Sequence, residues 1–154
     1  MRLFLKNLLF TVLVPGTIAG YVPWWMVRYY PFEPSAWTVA AAVNLALGVA
    51  IYLWCLWDFA SYGGATPAPI DAPKKLVVRG LFRYVRNPIY VGVLSVILGW
   101  AMLFQALNVF VYGACVGIGF HLFVLLYEEP ALRRAFGREY EDYCSRVGRW
   151  IPRL

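Results

Sequence analysis

A chain of 154 residues can hold one domain, but 62% hydrophobic and 14% charged residues exclude a water-soluble one, which cannot bury that much apolar surface. The net charge of +6 does not point to nucleic acid, because the basic residues flank apolar blocks, as in a juxtamembrane layer facing anionic headgroups. The apolar blocks run to roughly 20 residues, the length that crosses about 30 Å of hydrocarbon, so the expectation is an all-α, polytopic helical protein embedded in the lipid bilayer.

Four spans are expected, at about 8–27, 36–57, 89–103 and 109–127, within one domain. The first follows Arg2 and Lys6 and contains the small pair Ala19-Gly20, a pattern shared with secretory signals; it is expected to remain as a span. Pro15 lies within it, and Gly16 and Gly20 are spaced to let a second helix approach closely, as are Gly113 and Gly117 in the fourth span. The outer loop, Tyr29 to Ser35, turns at Pro31 and Pro34. Around it Trp24, Trp25, Tyr29, Tyr30 and Trp37 read as an aromatic belt at headgroup depth.

The second span ends at Asp58, expected at the interface, where it can also line a cytoplasmic pocket. From 59 to 88 the chain has no helical periodicity, and Gly63-Gly64, Pro67, Pro69 and Pro73 oppose any helix. The apolar anchors Leu76-Val77-Val78 and Leu81-Phe82 suggest a loop folded over a cytoplasmic pocket as a lid. The third span is the shortest. An uncharged link, Gln105 to Asn108, joins it to the fourth in a tight antiparallel hairpin. Its far ends, Tyr90 and Glu128, should return to one surface, so that the stretch Arg83 to Gly92 faces Glu128-Glu129.

Pro130 suits the first turn of a new helix over 130–147, with Leu132, Phe136, Tyr140, Tyr143 and Val147 along one face. This amphipathic helix is expected to lie on the membrane or to cap the bundle. All of the 14 Lys and Arg residues except Arg28 fall on one side of the four spans. The positive-inside rule then places both termini and the long loop in the cytoplasm. Cys55, Cys115 and Cys144 have no metal-ligand spacing and are given no role.

Two readings of Glu128-Glu129 stand side by side. They pair with Arg133 and Arg134 one turn on, or they hold a ligand bearing hydroxyls or an ammonium group. His121 lies two turns earlier, about 10 Å deeper on the same face. It is either a base or substrate contact, or one half of an interhelical hydrogen bond.

The run Arg86-Asn87-Pro88-Ile89-Tyr90-Val91-Gly92, then Glu128-Glu129-Pro130-Ala131-Leu132, then Phe136-Gly137-Arg138-Glu139-Tyr140-Glu141-Asp142-Tyr143 resembles the isoprenylcysteine carboxyl methyltransferase and phospholipid methyltransferase superfamily. The pieces Gly64 to Pro69 and Val147 to Pro152 are similar to its bacterial members. The resemblance implies an integral membrane methyltransferase that uses S-adenosylmethionine without a dinucleotide-binding fold, in keeping with the lack of a strand-turn-helix glycine fingerprint. It further implies that Asn87, Pro88, Tyr90 and Gly92 hold the cofactor on one side, with Glu128 and Glu129 on the other. Asn87 stands where many members have His, and an amide cannot titrate. Within those implied roles, Pro88 starts the helix without wasting a donor, Gly92 admits a ligand to the backbone, and Tyr90 offers a hydroxyl and a ring face to a sulfonium. Methyl transfer from sulfonium is an in-line displacement in which alignment supplies the acceleration, and no metal is needed.

The resemblance also implies an Arg, Arg133 or Arg134, near the methyl acceptor, with His121 as a further catalytic candidate. The acceptor is expected to be lipophilic and carboxylate-bearing, like an isoprenylcysteine; a phospholipid amine and a small thiol stay open. A sterol-type reductase is disfavoured by the Glu-Glu pair and the short chain. A transporter component or scaffold is disfavoured because His121 is the single ionisable side chain deep in a span.

Overall fold

The computed structural model describes residues 2–63 and 75–153. Its elements are α1 (Arg2–Leu13), a π-helical turn (Gly16–Tyr21), α2 (Val22–Val27), α3 (Ala36–Asp58), a second π turn (Phe59–Gly63), a 3-10 turn (Gly80–Arg83), α4 (Pro88–Leu103), α5 (Leu107–Phe123), a third π turn (Val124–Glu128), α6 (Glu129–Phe136) and α7 (Arg138–Arg146). Among the described residues there is no strand, and a single parallel bridge joins Val85 to Gly148.

Three continuous helices are long and apolar enough to cross a membrane: Asn7–Val27, Ala36–Tyr62 and Leu107–Phe136. With 16 residues, α4 reaches only about 24 Å, short of a hydrocarbon layer of about 30 Å. It is also the innermost helix, burying Gly92, Val93, Ile97, Gly99 and Ala101 against its neighbours. Where α3 and α4 cross, Gly48 and Gly92 face each other. A Cβ on Gly92 would lie 2.9 Å from the Gly48 carbonyl oxygen, and a Cβ on Gly48 2.8 Å from that of Gly92. Two side chains removed at one level allow the backbones to meet, and the Asn44 Nδ2–H donates across the pair to the Ser95 carbonyl at 2.7 Å.

Gly113 and Gly117 do face a neighbour, since added Cβ atoms would meet Ile97 and Leu94 of α4. Gly16 and Gly20 do not. Nothing lies within 4 Å of a Cβ on Gly20, and one on Gly16 would meet only its own helix at Thr11. The reason is Pro15: with no N–H to give, it opens the backbone into the π turn, whose Ile18 carbonyl then accepts from the Tyr112 hydroxyl at 2.9 Å.

At the outer end, Ser35 and Thr38 form a capping box that starts α3. Trp24, Trp25, Tyr29, Tyr30 and Trp37 are all exposed there, with the Arg28 guanidinium over the rings of Trp25 and Tyr29. The α4–α5 hairpin is tight, turning at Gln105 with a φ of 49°.

Three expected boundaries are corrected. The helix of the second span continues past Asp58 as a π turn to Gly63, so the long loop starts later than Phe59. Asp58 is buried, with the Arg79 Nε 3.2 Å from its Oδ1. The rest of the expected lid, including Pro67, Pro69 and Pro73, lies outside the described residues. The fourth span does not stop before Pro130: the missing N–H is absorbed by the third π turn, in which the Glu129 N–H donates to the Val124 carbonyl, and the helix runs on to Phe136. Nor is 130–147 one helix, because Gly137, at φ 52° and ψ −123°, separates α6 from α7. The apolar stripe survives that break. Tyr140, Tyr143 and Val147 form a buried cluster with Leu132, Phe136 and Leu76 packed on it, so the stripe caps the bundle.

Candidate functional site

A cavity of about 520 Å³ opens where the π turns of three helices meet the start of α4. Its walls are apolar: Phe10, Val14 and Ile18 from the first span, Phe59 after α3, and Phe120 and Phe123 from α5. Polar groups gather at one end, where Arg86, Asn87, Tyr90, Glu128 and Glu129 line it beside Tyr140 and Tyr143. The two composition boundaries in the sequence therefore do face one another. Pro88 begins α4 here because its ring is pre-set for the first helical position. Tyr90 follows half a turn later, and its hydroxyl donates to the Glu128 Oε1. The Tyr90 ring lies 4.5 Å from that of Phe120 and 6.3 Å from that of Trp150, centroid to centroid.

The adjacent glutamates are held very differently. Glu128 is half-buried and accepts from Tyr90. Glu129 is buried and accepts a fork from Arg149, Nε to Oε1 at 2.6 Å and Nη2 to Oε2 at 3.1 Å. Arg86 Nη1 lies 3.2 Å from Oε1, and Arg133 Nη2 lies 3.9 Å from Oε2. Three guanidiniums thus converge on one carboxylate. Donating these hydrogen bonds to Glu129 raises the pKa of Arg149 further above its ordinary value.

Asn87 does not cap α4 through its side chain. Its Nδ2 donates to the Arg149 carbonyl at 3.1 Å, while the Arg86 N–H donates to the Gly148 carbonyl at 2.9 Å. The Tyr143 hydroxyl donates to the Phe82 carbonyl at 2.7 Å, and burial pushes its pKa up, which keeps the donor proton in place. Burial likewise pushes up Tyr140. The C-terminal strap, 147–152, is therefore stitched to the loop that leads into α4 and to Glu129.

The remaining expected residues fall outside the cavity wall. Pro88 is buried behind it. Gly92 is turned to α3, so the close approach it permits is that of the Gly48 backbone. Arg133 is exposed and reaches back to Glu129, while Arg134 is exposed and does not line the cavity. His121 Nδ1 accepts from the Trp150 indole N–H at 3.0 Å, so its hydrogen bond runs to the C-terminal segment after α7 and not to another helix as expected. Because indole can only donate, that ring nitrogen is the unprotonated one.

Sequence reasoning gave no role to Arg86, Arg149, Trp150 or Cys144. Arg149 and Trp150 lie in a tail noted for its resemblance, and their distance from Glu129 and His121 along the chain hides the pairing. The Cys144 thiol accepts from Arg86, the same guanidinium that faces Glu129.

A family profile described as phospholipid methyltransferase matches residues 36–139, from the first turn of α3 into α7. No curated protein and no solved structure gave a match.

Proposed function

Since the chain belongs to the phospholipid methyltransferase family, we propose that it is a membrane enzyme transferring a methyl group from S-adenosylmethionine to a lipophilic acceptor. The observation that carries this reading is the Tyr90–Glu128 pair at the polar end of an otherwise apolar cavity. S-adenosylmethionine, when bound, supplies a methyl group on a cationic sulfur. The residues present suit such a group. The aromatic faces of Tyr90, Phe120 and Phe123 attract a cation, the Glu128 carboxylate accepts from hydroxyl or ammonium donors, and about 520 Å³ is within the range of small-molecule sites.

Tyr90 holds Glu128 by its donated proton, and Asn87 fixes the strap at the mouth. The apolar walls exclude water and accept a hydrocarbon chain, so that binding aligns acceptor and donor; positioning of this kind accounts for most of the rate in an in-line displacement. The acceptor we assign is carboxylate-bearing, supported by Arg86, a guanidinium on the cavity wall able to orient an acid. A phospholipid amine is the second reading, supported by the description of the matching family. Both termini and the polar end are assigned to the cytoplasm, since Arg28 alone among the basic residues lies with the outer aromatic belt.

The test is incubation of the purified protein in nanodiscs with methyl-labelled S-adenosylmethionine and lipid extract. Label entering the lipid phase and released by mild base as volatile methanol identifies a methyl ester; label that stays non-volatile after base, on a headgroup, identifies an amine. No transfer to any lipid fraction, together with no binding of S-adenosylmethionine by calorimetry, would remove the reading.

A further inference from the structure

Adjacent acids in one polar cluster invite equal roles, yet both Glu129 oxygens already accept from Arg149, with Arg86 and Arg133 alongside, whereas among the described residues Glu128 accepts from Tyr90 alone. We propose that the pair divides its labour. Glu128 touches the ligand; Glu129 is a positioning residue that anchors the C-terminal strap through Arg149 and acts on the ligand only through it. This rests on the S-adenosylmethionine reading of the cavity and adds to it a part of the chain, residues 147–152, that lies beyond the family match.

Glu129 is buried, and a carboxylate has about four lone-pair positions. The Arg149 fork takes up two of them, and Arg86 and Arg133 stand as ion pairs at 3.2 Å and 3.9 Å. Its neighbours hold the strap from three further directions: the Gly148 carbonyl accepts from the Arg86 N–H, the Arg149 carbonyl from Asn87, and Trp150 donates to His121. Trp150 also stands 6.3 Å from the Tyr90 ring, centroid to centroid, so the strap's position bears on the residue that orients Glu128. Through Tyr90 and Asn87, loss of the anchor is felt at the ligand without any contact between Glu129 and the ligand.

A double-mutant cycle on S-adenosylmethionine affinity, in nanodiscs, decides between direct and indirect action. Glu129→Gln and Arg149→Ala are each expected to weaken binding about tenfold, and the double variant by no more than that, because both remove one interaction. Glu128→Gln is expected to weaken binding by about tenfold in the wild type and by less than that in the Arg149→Ala background, where the Tyr90 that orients Glu128 is already displaced. Arg149→Lys keeps the charge without the fork and should fall between wild type and alanine. As a readout independent of the ligand, trypsin cleavage after Arg146, measured on the folded protein, should quicken in Glu129→Gln and Arg149→Ala and stay unchanged in Glu128→Gln.

Multiplicative losses from Glu129→Gln and Arg149→Ala would show independent contacts and overturn the proposal, as would unchanged binding by Glu128→Gln or unchanged cleavage in both anchor variants. Absence of binding to the wild type would remove the cofactor reading and the role of Glu128 with it. The anchor itself would then be judged by the cleavage rates alone.

Discussion

At the scale of single residues, the cavity's side of the polar end rests on two side-chain donors, Tyr90 and Asn87. Tyr90 donates to Glu128, and Tyr90→Phe removes that proton while leaving the ring against Phe120. A hydrogen bond to a charged group contributes about 1.5–3 kcal/mol, so thermal stability should fall by up to that amount and kcat/KM for methyl transfer by about tenfold or more. Asn87 donates to the Arg149 carbonyl, a task that needs no titrating group. Asn87→His should therefore fold, and should add to the activity a pH dependence near the imidazole range of about 6.5, measured as a rate profile against the parent. That the stretch around Tyr90 meets the glutamates was legible because α4 and α5 form a hairpin whose ends must meet; Asn87, Tyr90 and the glutamates were singled out within it by the family resemblance. Arg86 and Arg149 were not: which carboxylate a basic side chain reaches is decided by tertiary packing, and local spacing pointed to Arg133 and Arg134 instead. Arg133 does approach Glu129, but as the outermost of the three cations.

At the scale of elements, small residues and breaks explain which expectations survived. Helical spacing alone could not tell the glycines of the first span, which face no second helix, from Gly48 and Gly92, which sit 44 positions apart and touch. Gly92→Leu should destabilise the fold by about 1–3 kcal/mol through overpacking against Gly48, whereas Gly20→Ala should be neutral, both read by thermal unfolding in detergent. Gly137→Ala places a side chain at a backbone conformation of φ 52° and ψ −123° and should cost about 1–3 kcal/mol in the same measurement. The stripe from Leu132 to Val147 was readable across that break, since burial of the stripe is what selects the angle between α6 and α7. The π turns were not readable, apart from the prolines at position 15 and position 130 beside two of them; all three border the cavity, where a widened turn leaves room that a regular helix would fill.

At the scale of the whole molecule, α3, α4 and α5 pack into a bundle with α1 and α2 along one side, and each end of it has its own chemistry. Aromatic residues, Arg28 and Glu33 mark one end; the arginine-rich site marks the other. With the three native cysteines replaced, a cysteine placed by Glu33→Cys should react with a membrane-impermeant maleimide added to intact cells. One placed by Ser145→Cys should react only after permeabilisation. The reverse pattern would invert the assigned topology. A helical protein embedded in the bilayer was legible because bilayer thickness acts on composition, although of the four expected spans three are long enough to cross and α4 is not; the strap was not legible, because its partners are supplied by distant helices. That strap also imposes an order on assembly. A ribosome delivers residues from the N-terminal end, so all of the apolar helices emerge before Arg149 does. The bundle can enter the bilayer with Glu129 still lacking its fork, and the pocket is completed only once residues 147–152 have followed. A transcript cut short after α7 would thus yield a protein that inserts and stays in the membrane without a finished site.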